Sequence, residues 1–145
     1  MKGIMLKRRE ARETAFELIY EAGFYDGNYA GQFELSREVR EIETDDYITA
    51  VYRGVTEHLE ELDGLISDCA LNWKTGRISR VTMAILRLCA YEMLYLEDVP
   101  YTVAINEAVE LAKKYDDDKA PAFVNGVANR IADEKGLKKE ESPRA

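Results

Sequence analysis

Apolar residues recur every three to four positions along most of the chain, which is the period of an amphipathic helix. Residues 5–24 predict the first helix, with Ala11, Ala15, Leu18, Ile19 and Ala22 on one stripe and Glu10, Glu13, Glu17 and Glu21 on the opposite one. A connection follows in "EAGFYDGNYAGQ", which holds three Gly and an Asp-Gly pair. A short helix over Phe33–Arg40 turns Phe33 and Val39 inward. Thr44 or Asp45 caps a long helix in which Tyr47, Ile48, Val51, Tyr52, Val55, Leu59, Leu62, Leu65, Ile66 and Cys69 keep helical spacing. Ser79 caps the next, running to about Tyr95 with Ala84, Ile85, Leu88, Cys89 and Leu94 available for burial. Pro100 ends it, because proline lacks the N–H donor and disfavours helix at Val99. Thr102 caps a helix with Ala104, Ala108, Leu111, Ala112 and Tyr115 on one face. The last helix turns Phe123, Val124, Val127, Ala128 and Ile131 inward and stops near Gly136.

These elements predict an all-α fold. A chain of 145 residues suits one compact domain or two small subdomains, and only 9 Gly and 3 Pro leave little to punctuate strands. "LNWKTGR" reads as the subdomain boundary, giving an N-terminal helical subdomain over 1–72, a C-terminal one over 77–136, and a disordered tail over 137–145. Cys69 and Cys89 each lie inside an apolar helical pattern and read as reduced core thiols of a cytosolic protein. No run of about 18 apolar residues is present, so no membrane span is expected. Residues 1–6 are too short for the apolar core of a signal peptide.

Charge changes the picture at one end. The chain carries 20 Lys and Arg against 28 Asp and Glu, a net of −8. Residues 1–12 hold Lys2, Lys7, Arg8, Arg9 and Arg12 against Glu10, a net of +4, which leaves −12 for the rest. Arginines at a helix N-terminus oppose the macrodipole by about 0.3–1 kcal/mol each when exposed, so folding gains little from them. One reading is a solvated, frayed helix start. The other is a phosphate-contacting patch, with Tyr20 and Tyr25 near enough for base stacking. Composition alone leaves the two level.

Other candidate chemistry is thin. His58 is the only histidine and has neither metal-ligand spacing nor a nucleophile motif beside it. Asp116, Asp117 and Asp118 are consecutive, whereas calcium loops alternate their ligands and need a glycine turn. They read as a loop placing negative charge at the start of the last helix. No glycine-rich phosphate loop and no apolar pocket around paired acids is visible, so no active site, metal or cofactor is expected.

The C-terminal half breaks the tie. "ILRLCAYEMLYLEDVPYTVAINEAVELAKKY" followed by "AFVNGV" resembles the NusB family of transcription antitermination factors. So does the opening "RREARETAFELIY", and "LDGLI" and Trp73 with Arg77 and Ile78 fit as well. The resemblance spans about Arg8 to Ile131. It implies a helical bundle of two packed subdomains with about seven helices, and a cytoplasmic, non-catalytic role in ribosomal RNA transcription. The implied partners are boxA RNA, the small-subunit ribosomal protein NusE and the antitermination complex on RNA polymerase. Carried over position by position, RNA contacts fall on Lys7, Arg8, Arg9, Arg12 and Tyr20, then Lys119 and Phe123. Partner contacts fall on Tyr20, Arg87 and Glu92. The chain departs from the family pattern at Ala122, where a Lys often precedes the Phe, and at Ala128, where the pattern has Leu. The first weakens the expected RNA contact there, and the aspartate loop adds repulsion toward phosphate. Glu107 and Asn125 are not explained by periodicity and are expected to join the last two helices.

Two rival readings accompany this one. A ribosomal RNA methyltransferase carries a similar RNA-binding module, but no methyl-donor-binding βαβ pattern follows here. A helical adaptor that binds proteins, or a homodimer that buries the RNA surface, would need no intrinsic RNA affinity.

Overall fold

The computed structural model describes residues 4–25, 27–43, 45–70 and 78–140, with side chains from Lys7 to Lys138. Eight helices and no strand occur among the described residues: α1 (Ile4–Ala22), α2 (Tyr29–Val39), α3 (Asp46–Glu57), α4 (Leu59–Cys69), α5 (Arg80–Tyr95), α6 (Tyr101–Tyr115), α7 (Ala120–Glu134) and the single turn α8 (Leu137–Glu140). The all-α expectation holds. The chain forms two compact units, Met1–His58 and Leu59–Ala145.

In the first unit, α1 packs against α3, and α2 touches both. The predicted stripe of α1 is buried, and Phe16 joins it. Gly27, with φ +96°, and Asn28, with φ 54°, make the left-handed turn that starts α2. Phe33 lies 4.8 Å from the Tyr52 ring, and the Tyr52 hydroxyl donates to the Tyr29 carbonyl at 3.0 Å. The acidic stripe of α1 is not merely solvated: Arg40 bridges Glu17 and Glu21, and Ser36 donates to Glu21. Val39 is 71% exposed, against the inward placement expected of it. Six positions put it about 240° from Phe33 around the helix, so the two cannot share a face.

The expected long helix over Tyr47–Cys69 is broken. Asp45 caps its first half, accepting from the Ile48 N–H at 2.9 Å, while Thr44 lies outside the described residues. At His58 the backbone N–H turns to Val55 O, three residues back, and the ring Nδ1–H donates to Gly54 O at 2.7 Å. Gly54 O is the acceptor that a continuing α-helix would offer to the His58 N–H. The histidine ring takes it, and the helix stops. The apolar period runs on across the break, which is why the sequence reads as one helix. The division of the chain into its two compact units falls between His58 and Leu59. The boundary expected at Leu71–Arg77 lies outside the described residues, as do Trp73 and Arg77.

In the second unit, α5, α6 and α7 pack against one another, and α4 lies on α5 and α7. Central α5 is buried on almost every side, from Thr82 to Leu86 and again at Leu88, Cys89, Ala90, Glu92 and Met93. Ser79 caps it, accepting from the Thr82 N–H at 3.0 Å. Ala104, Ala108 and Ala112 are buried on α6, where small side chains permit close helix approach. This helix starts one residue before the expected cap: Pro100 is the N-cap, and its carbonyl accepts from Val103 and Ala104. Both cysteines are free and buried. The Cys89 thiol donates to Ala104 O, and the Cys69 thiol to Glu134 Oε2. Burial, and next the bond to Glu134, push the Cys69 thiol up to about 12. Gly136, with φ +73°, follows α7 as expected. Residues 137–140 form a helical turn instead of a disordered start to the tail.

Candidate nucleic-acid interface

The basic end of the chain is the first turns of α1. Lys7 and Arg9 are exposed, Arg8 is half-buried, and Arg12 is only 5% exposed. The period places Arg12 at the border of the buried stripe, and its long stem carries it inside. The guanidinium carbon of Arg8 lies 4.3 Å from the Tyr47 ring centroid, and that of Arg12 lies 5.7 Å from the same centroid. Both distances fall within cation–π range. The first turn of α1 holds no acidic residue. The helix N-terminus, the two arginines over Tyr47 and two exposed cations make the start of α1 net positive.

Tyr20, two turns beyond Arg12 on the same helix, is half-buried. Its ring stands edge-on to Phe24 at 5.2 Å and tilted to Phe16 at 6.3 Å. Phe16 is buried and Phe24 is 55% exposed, so the aromatic row runs from the core outward. Such a row can offer ring faces to unstacked bases.

The remaining candidates lie in the second unit. Lys119 and Phe123 line a cavity of about 320 Å³ with Ile78, Ser79, Thr82 and Asp116. Lys119 is exposed, and Phe123 is half-buried rather than fully inward as expected. The aspartate loop is a built corner. Asp116 accepts from the Ser79 hydroxyl at 3.1 Å and from the buried Thr82 hydroxyl. Asp117 Oδ1 accepts from the Lys119 and Ala120 N–H groups, both at 3.0 Å, just ahead of α7. Two of the three aspartates thus hold the loop in shape while adding negative charge beside Lys119. Asn125 accepts from the Asn129 side chain one turn on in α7.

Arg87 is occupied inside its own unit, and Glu92 is buried. Arg87 holds Asp63 with two bonds, at 2.7 and 2.9 Å, tying α5 to α4. Glu92 is 1% exposed. No buried side-chain nitrogen or oxygen among the described residues lacks a hydrogen-bond partner, so its carboxylate is satisfied in the interior. A partner contact expected at these two positions would have to break the Asp63 pair or open the core. On the same helix the Tyr91 and Tyr95 rings stack at 5.1 Å, a pairing that the apolar period of α5 does not mark. Tyr95 is 40% exposed and donates to Glu61 at 2.6 Å, which raises its pKa. Nor does the sequence mark Tyr47 as a site residue. Its spacing marks it as core, and its contact with α1 spans more than 30 residues of sequence, beyond the reach of any local pattern.

No group of three or more His, Cys, Asp or Glu able to hold a metal occurs among the described residues. No helix among them is long and apolar enough to cross a membrane.

A family model described as "NusB family" matches residues 9–133. The transcription antitermination protein NusB of Bacillus subtilis (strain 168) is 45% identical over 126 residues, covering 87% of this chain and 95% of that protein. The NusB of Acetivibrio thermocellus is 42% identical over 126 residues, covering 86% and 87%. Among solved structures, T. maritima NusB superposes with a TM-score of 0.77 at 32% identity, covering 91% of this chain and 96% of that one. A chain of the crystal structure of antitermination factors NusB and NusE in complex with dsRNA superposes with a TM-score of 0.78 at 30% identity, covering 90% and 99%.

Proposed function

The chain belongs to the NusB family, and from that premise we propose that it is a transcription antitermination factor that binds boxA RNA of ribosomal RNA transcripts together with NusE. The observation that carries the RNA-binding part is the basic end of α1. An otherwise acidic protein concentrates Lys7, Arg8, Arg9 and Arg12 at a helix N-terminus that has no acidic residue in its first turn. Packing accounts for the buried Arg12, but folding gives no reason for the exposed Lys7 and Arg9.

The reading divides the labour among these residues. Lys7 and Arg9 meet phosphates directly, and Arg8 does so while stacked on Tyr47. Tyr20 supplies a ring face to a base. Lys119 and Phe123 form a second, weaker contact, because Asp116 and Asp117 stand beside them. The acidic remainder repels nucleic acid in general, so binding is confined to one strand and one register. Phosphate contacts position that strand, and base contacts select its sequence. The protein acts by binding, without catalysis, in the cytoplasm where transcripts emerge, as part of an antitermination complex on RNA polymerase.

Fluorescence anisotropy with boxA RNA and a scrambled control, each with and without NusE, tests this. The expected result is tighter binding to boxA than to the scramble, tightened further by NusE. Equal binding to both RNAs, or none even with NusE present, would leave the basic end as a solvated helix start and return the protein to the adaptor reading.

A further inference from the structure

We propose that Tyr47 is a positioning residue for RNA: its ring holds Arg8 in place, backed by Arg12, so that the guanidinium edge of Arg8 meets a phosphate. This rests on the RNA-binding reading above and extends it to a residue that never touches the RNA.

Three observations support it. First, two guanidinium groups share one ring, at 4.3 and 5.7 Å from its centroid. Arg8 and Arg12 are four residues apart on α1, a spacing at which like charges repel. The negative ring face offsets part of this repulsion. Second, the two arginines differ in exposure. Arg12 is 5% exposed, whereas Arg8 is half-buried and keeps access to solvent. Third, the ring itself is fixed. Tyr47 is 7% exposed and follows directly on the capped start of α3, where Asp45 accepts from the Ile48 N–H.

A guanidinium stacked through its face keeps its N–H edges free for an oxygen acceptor. A freely rotating arginine loses side-chain entropy when it binds a phosphate, and one already held by a ring loses less. The ligand that matches is the phosphate of single-stranded RNA, which accepts two N–H bonds side by side. Tyr47 thus acts through Arg8, as part of a clamp built from two helices.

The test compares Tyr47→Phe, Tyr47→Leu and replacement of Tyr47 by pentafluorophenylalanine, with Lys7→Ala/Arg9→Ala as the reference for the RNA site. Pentafluorophenylalanine keeps the ring's shape while reversing the charge on its face, so it remains informative if Tyr47→Leu fails to fold. Circular dichroism establishes the folded state, and the slope of log K against log salt counts phosphate contacts. Tyr47→Phe should keep the wild-type slope. The fluorinated ring should weaken boxA binding by about three- to tenfold and lower the slope by about 0.7, the loss of one phosphate contact. A fluorinated protein that is folded and binds with the wild-type slope, while Lys7→Ala/Arg9→Ala loses slope, would overturn the proposal and leave the RNA site standing. If Lys7→Ala/Arg9→Ala also binds as wild type, the RNA reading itself fails and Tyr47 is only core.

Discussion

Arg12 lies with its guanidinium carbon 5.7 Å from the centre of the Tyr47 ring and is 5% exposed, so a residue placed by its spacing at the edge of a basic patch belongs to the interior. That separates stability from binding along a single helix. Arg12→Ala should lower stability by about 1–3 kcal/mol, through lost packing of the stem and lost contact with the ring. Lys7→Ala/Arg9→Ala should stay within about 0.5 kcal/mol of wild type. Urea denaturation of the three proteins reads the difference directly. Equal losses from the exposed pair and from Arg12→Ala would contradict the assignment.

Alkaline pH should erode the fold from a definite point. The Cys69 thiol is pushed up to about 12 by burial and by Glu134, and the Tyr52 hydroxyl to about 12 by burial and then Glu21. Each group holds its proton more tightly when folded than when unfolded. Their contributions are therefore complete below the unfolded values, 9.0 for the thiol and 10.0 for the phenol, and are lost as pH rises toward 12. Urea midpoints should be flat with respect to these groups up to about pH 9 and fall beyond it. Cys69→Ala should delay the onset of that fall toward pH 10. A midpoint that rises between pH 9 and 11 would contradict it.

The aspartate loop should behave as structure. In Asp116→Ala the buried Thr82 hydroxyl loses its acceptor, at a cost of about 1–3 kcal/mol. Ser79→Ala removes the cap of α5 and a second bond to Asp116, at about 1 kcal/mol. The two changes work on the same carboxylate, so the double variant should cost less than their sum. Thermal unfolding of the four proteins measures the coupling, and strict additivity would show that the corner is not one unit.

His58→Ala should restore the helix that the sequence reads. Without the ring, Gly54 O is left to the backbone N–H of residue 58, and alanine favours helix. Backbone carbon chemical shifts of residues 57–59 should move to helical values. If the break persists, its cause lies outside the His58–Gly54 bond.

These relationships mark where sequence reading succeeds and where it stops. Helices with one apolar stripe were legible because a 3.6-residue period admits no other element, and the capping roles of Asp45 and Ser79 were legible because each short oxygen stands just before an apolar run. The break at His58 was hidden, since the apolar period continues across it and a single side chain decides it. The start of α6 was misplaced because Pro100 supplies a carbonyl to the first turn although it cannot donate. In the candidate site, charge asymmetry pointed to Lys7, Arg8, Arg9 and Arg12 but could not separate exposed members from buried ones. Tyr47 and the Asp116 corner were out of reach, because each joins elements more than 30 residues apart in sequence.

The most direct test of the central claim is the salt dependence of boxA binding, with NusE present, for wild type and for Lys7→Ala/Arg9→Ala. About four neutralised phosphates give wild type a slope of log K against log salt near −3, and removal of two exposed cations should bring it to about −1.5 with weaker binding at every salt concentration. An unchanged slope and affinity in the double variant would contradict the claim that the basic end of α1 is the RNA site.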